Sequence, residues 1–157
     1  MHQSTGVPRD CYAVLSFYLG DKSSIPPYTG TFTWFAPKPI LSRDVSRFNG
    51  IQMRAWHLGD LPPGVRVYLQ ISPTRLIQSY DGYFEHDFTD DMRNDQSSGP
   101  FTIPFEAFVP SSQTRTQGFH VLDKSLLSKV YQISIRIQGQ KGRVSQGKVA
   151  FSDVRFY

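Results

Sequence analysis

GVRVYLQIS at residues 64–72, SYDGYFEHDFT at 79–89 and GPFTIPFEAF at 99–108 are three runs that alternate residue by residue. In the first, Val65, Val67, Leu69 and Ile71 point one way and Arg66, Tyr68, Gln70 and Ser72 the other. Alternation with a period of two marks a half-buried strand. In the second, Phe84, His86 and Phe88 share a face, opposite Tyr83, Glu85 and Asp87. In the third, Phe101, Ile103 and Phe105 turn inward together. Each run has one apolar face. The other face of the first two carries aromatic rings, Arg, Gln and carboxylates, and that is where function is sought.

The same alternation extends on both sides. Cys11–Leu19, Tyr28–Phe35, Ile51–Leu58, Val130–Ile137 and Lys148–Tyr157 read as further strands. Ser42–Ser46 reads as one short helical turn capped by Ser42. HVLDKSLLSK at 120–129 has the only helical spacing of any length, with Asp123 near its start. SSQTRTQG at 111–118 reads as a polar loop. About eight short strands with little helix predict an all-β chain, a β-sandwich of two antiparallel sheets, in place of a βαβ fold. Residues 1–10 read as a loose arm and 11–157 as one domain.

Composition agrees. Aromatic residues make up 14% of the 157, with 11 Pro and 12 Gly, which suits many turns between strands. Charged residues are only 19%, and the net charge of +4 is spread along the chain. A basic run able to track phosphates is missing, so nucleic acid is not the expected partner. A single cysteine, Cys11, rules out an internal disulfide and reads as a small buried hydrophobe. No apolar run is long enough to insert in a membrane.

The phrases DVSRFNGIQMRAW (44–56), RVYLQI (66–71), FEHDFT (84–89), FTIPFEAFVP (101–110), YQISIRIQG (131–139) and VAFSDVRFY (149–157) follow one another in a familiar order. In this the chain resembles the galactose-binding-like jelly rolls. The resemblance is to family 11 carbohydrate-binding modules and to the complex I intermediate-associated protein domain, over residues 12–157. It implies a jelly-roll β-sandwich with one concave face. In carbohydrate-binding members that face holds a glycan, and several members carry a structural calcium ion. In the assembly-factor members the domain meets a protein partner.

Carbohydrate needs the chemistry of the outward face. Sugar C–H faces stack on aromatic rings, and hydroxyls take paired bonds from planar Arg, Gln and carboxylate groups. Trp56, Tyr68 and Tyr83 are the expected stacking residues. Arg54, Arg66, Gln70, Glu85, Asp87, Gln132 and Arg136 are the expected hydrogen-bonding ones, if their strands share a sheet. The plainer alternative is a solvated face laced with cross-strand ion pairs, with Arg66 opposite Glu85. Glu85 and Asp87, about 6.5 Å apart along one strand, have the spacing of an inverting glycosidase pair, but nothing marks one of them as an acid. No catalytic residue is expected.

Asp90, Asp91 and Asp95, with Asn94 beside them, form an acidic loop whose oxygens are calcium-ligand candidates, and Asp153 is a second. The four histidines show no ligand spacing, and His86 reads as a hydrogen-bonded core histidine. The expectation is therefore a non-catalytic module that binds a polysaccharide or oligosaccharide. It would be part of a larger extracellular or surface protein, possessing no cofactor unless calcium. The alternatives are an intracellular protein-interaction domain and a sensory ligand-binding domain.

Overall fold

The computed structural model describes residues 12–20, 42–76, 82–92, 99–140 and 142–157 and, for the backbone alone, 28–33. The predicted arm and Cys11 lie outside the described residues. The strands are β1 (Ala13–Leu19), β2 (Tyr28–Thr33), β3 (Gly50–His57), β4 (Arg66–Pro73), β5 (Phe84–Asp87), β6 (Phe101–Pro104), β7 (Val109–Pro110), β8 (Val130–Gln138) and β9 (Ser145–Phe156). Two short helices, α1 (Ser112–Thr116) and α2 (Lys124–Leu127), interrupt them.

The strands form a four-stranded sheet, β1-β9-β3-β6, and a five-stranded sheet, β2-β8-β4-β5-β7. Every pairing is antiparallel. Successive strands cross between the two sheets except at β4–β5 and β7–β8, which stay in the five-stranded sheet, and β8 and β9 return to lie beside β2 and β1. That is the strand order of a jelly roll with β7 added at one edge.

The inward side chains of both sheets meet in one core. Val67, Leu69 and Ile71 of β4, Phe84 of β5 and Ile133, Ile135 and Ile137 of β8 face Phe17, Ile51, Met53, Ile103, Val149 and Phe151 across it. Burying each such side chain contributes on the order of 2 kcal/mol. A period of two on a sheet with one wet face leaves these residues no other register.

Two glycines fix entries to the strands. Gly64 takes φ +80° in the turn where the Val65 amide donates to the Pro62 carbonyl, and this feeds β4. A Cβ at Gly50 would run into the Ile103 carbonyl of the paired strand β6.

Local helix differs from expectation in two places. Ser42–Ser46 is not a helical turn: Arg43 bridges to Val130 instead, exchanging backbone bonds of 2.8 and 2.9 Å. Residues 111–118, read as loop, contain α1, capped by the Ser111 side chain accepting from the Thr114 amide. In α2, as the sequence suggested, the Asp123 carboxylate caps the helix by accepting from the Leu126 amide at 2.9 Å.

Candidate functional site

The outer face of the five-stranded sheet brings together most of the candidate residues. Registry sets Arg136, Tyr68 and Asp87 in one row across β8, β4 and β5. It sets Ser134, Gln70 and Glu85 in the next, and pairs Gln132 with Ser72 beyond. Tyr83 stands just before β5, half-buried, with its carbonyl accepting from the Ser111 amide.

These side chains bond to one another. The Arg136 guanidinium lies 4.3 Å from the centre of the Tyr68 ring, a cation–π stack. Its Nη2 donates to Glu85 Oε2 at 2.8 Å, and Gln70 Nε2 donates to the same oxygen at 3.2 Å. Arg136 and Glu85 are mostly covered, at 14% and 18% exposed. Arg66 Nε donates to Asp87 Oδ2 at 2.7 Å and its Nη2 reaches Asp90 at 3.4 Å. The plainer sequence alternative paired Arg66 with Glu85; the structure pairs Arg66 with Asp87, its diagonal neighbour on β5, and Glu85 with Arg136, which reaches across β4 from the adjacent row.

Charge follows these bonds. Burial pushes the Asp87 carboxyl up, but the Thr89 hydroxyl and amide and Arg66 outweigh it and hold it below the usual carboxylate range. The bond to Asp87 raises Arg66 further, so that this guanidinium stays charged. Burial raises the Tyr68 phenol, with the Asp87 charge adding to it. A carboxyl held ionised is the reverse of what a general acid needs, so Asp87 does not fit the acid role of a hydrolytic pair.

Arg54 and Trp56 do not join this face. They sit on β3, in the opposite sheet, and point to the other side of the sandwich. Trp56 is only 3% exposed, with the Tyr12 ring edge-on against it at 5.2 Å between centroids. Its expected stacking role is corrected accordingly: a covered indole offers no platform. Arg54 faces Asp153 at 3.4 Å.

The calcium candidates do not fit a cation cage. Asp153 pairs with Arg54, Asp90 with Arg66, and Asp91 lies 3.8 Å from His86 Nε2. A hard dication needs several oxygens without a cation among them. Asp95 lies outside the described residues. Among the described residues no group of three His, Cys, Asp or Glu side chains could hold a metal ion. His86 sits on the inward side of β5, its Nδ1 3.2 Å from the Ala107 carbonyl oxygen and its ring beside Phe108.

No family model matches the sequence, and no curated protein does. Among solved structures, the chain is similar to a family 11 carbohydrate-binding module from Clostridium thermocellum, solved in complex with a β-1,3-1,4-mixed-linked tetrasaccharide. The identity is 14% over 99% of this chain and 92% of that one, with a TM-score of 0.48. A family 11 module of a cellulosomal cellulase from the same organism is also similar, at 14% identity over 94% of this chain and 82% of that one, with a TM-score of 0.45.

Proposed function

We propose that this chain is a non-catalytic carbohydrate-binding module that holds a polysaccharide or oligosaccharide on the outer face of the five-stranded sheet. The observation that carries the reading is the Arg136–Tyr68 stack braced by Glu85 and Gln70. A planar guanidinium on a phenol ring makes a flat platform for a sugar ring, and side chains already fixed by each other lose little freedom when a ligand arrives. Around it, Arg66, Asp87, Gln132 and Tyr83 supply donors and acceptors for hydroxyls. The face is shallow and polar, so affinity is modest: ordered water must leave, and little apolar area is covered. In this reading the chain works outside the cell, as one part of a larger exported protein.

Native electrophoresis through gels loaded with mixed-linkage glucan, xyloglucan, mannan, xylan, pectin or alginate tests this. Retardation is expected on one or two of the gels, and Tyr68→Ala and Arg66→Ala should each abolish it. Retention unchanged in both variants would show that the face is wrong. Unaltered mobility on every gel would move the reading to a protein partner.

A further inference from the structure

The outer face of the four-stranded sheet gathers polar side chains at one end of β3 and β9. β9 breaks register there: Gln52 pairs with Arg155 and Arg54 with Ser152, so one residue of β3 faces two of β9. The extra residue is a bulge at Asp153, which adopts φ +53°, the only non-glycine in the described chain with positive φ. Bulges re-aim side chains, and a strained backbone residue that persists is a reason to look for function. Here the bulge turns the Asp153 carboxylate toward Arg54, 3.4 Å away.

Beside this pair lies a depression of about 490 Å³, lined by Gln52, Arg54, Pro100, Asp153, Val154 and Arg155. Arg155 donates its Nε to Gln52 Oε1 at 2.6 Å, which fixes the plane of the guanidinium. Its two terminal nitrogens make no bond or ion pair to a described residue. Arg54 and Asp153 remain 40% and 65% exposed. Lys148, exposed on the same face of β9, brings the outward charges to three cations against one carboxylate. Tyr12, 44% exposed, stands across β9 from Arg54.

We propose that this depression binds a uronate unit of an acidic glycan. The fork of Arg155 meets the sugar carboxylate side-on, as guanidinium meets carboxylate. The Arg54–Asp153 pair donates to and accepts from neighbouring hydroxyls. Asp153 also argues for sugar over nucleic acid: a carboxylate inside the site accepts from the ring hydroxyls that a phosphodiester backbone does not offer. Three scattered cations are too few to follow a phosphate backbone.

The test is isothermal titration calorimetry of the 157-residue chain with a galacturonate tetramer and with its methyl-esterified counterpart, at low salt. The free acid should bind about tenfold tighter than the ester, the worth of one charge-assisted bond. Arg155→Gln should remove that advantage without changing thermal melting. Lys124→Gln, which removes a charge from α2, should leave it intact. Equal binding of acid and ester overturns the proposal. So does an equal loss in Lys124→Gln, which would reduce the effect to net charge, or tighter binding of a thymidine oligonucleotide.

Discussion

The two outer faces of this sandwich are built on different terms. On the five-stranded sheet the polar side chains close on one another. Arg136 stacks on Tyr68 and bonds Glu85, Gln70 shares that carboxylate, and Arg66 holds Asp87. On the four-stranded sheet the aromatic centre is shut, with Trp56 beneath Tyr12, and the polar groups gather at one end around a bulge. Val14 and Tyr18 there stay exposed, at 45% and 68%. The first face is a prearranged network whose members depend on each other. The second is a set of exposed groups that depend little on each other and still have hydrogen-bonding capacity to offer. Coupling measurements should therefore separate them.

Glu85→Ala should cost the most, roughly 2–3 kcal/mol in denaturant unfolding, because it leaves the covered Arg136 guanidinium without its carboxylate. The Nε of Arg136 already lacks a hydrogen-bond partner, and only the Gln138 side chain, accepting from Nη1, and the Tyr68 ring are left beside the charge. Arg54→Ala, which breaks an exposed pair on the other face, should cost less than about 0.5 kcal/mol. Equal losses would erase the distinction between the two faces.

A smaller effect appears in acid. Asp87 is held below the ordinary carboxylate range in the fold, while in the unfolded chain it titrates at about 3.9. A depressed folded value means the ionised carboxylate stabilises the fold above the unfolded value. That contribution is lost as pH falls through the folded one. Asp87→Asn should therefore cost about 1 kcal/mol at neutral pH and almost nothing once the pH has fallen through the folded value, measured as the urea midpoint against pH. A penalty unchanged across that range would mean that the Arg66–Asp87–Thr89 bonds do not depend on charge.

Much of this was legible in the residues, and the gaps have one physical origin. Alternation along Val65–Ser72, Phe84–Phe88 and Val130–Ile137 told which side chains turn inward, since a strand in a half-wet sheet has only two faces. It could not tell which sheet a strand joins. Arg54 and Trp56 alternate as well as Arg66 and Tyr68 do, yet β3 lies across the core from β4. Pairing across long sequence separations decides that, and no local pattern encodes it. Register was hidden for the same reason, so the true partners of Arg66 and Glu85 could not be read. Ser42–Ser46 had local helical signals, which the backbone bridge of Arg43 to Val130 overrode. The burial of Trp56 on an outward position depends on Tyr12, two strands away.

The bulge at Asp153 sharpens the contrast in the smallest measurable way. Inside a strand, glycine is ordinarily worse than alanine, by roughly 0.5–1 kcal/mol of backbone entropy. At φ +53° the order should reverse, because an L-residue with a Cβ is strained there by about 1–2 kcal/mol and glycine is not. Asp153→Gly and Asp153→Ala both delete the carboxylate, so the lost pair with Arg54 cancels between them. Thermal or urea unfolding should then find Asp153→Gly more stable than Asp153→Ala by roughly 0.5–1 kcal/mol. If Asp153→Ala is the more stable, residue 153 is an ordinary strand position. The Asp153 carboxylate then reaches Arg54 without help from the backbone, and the strain that singles out this end of the four-stranded sheet is not there.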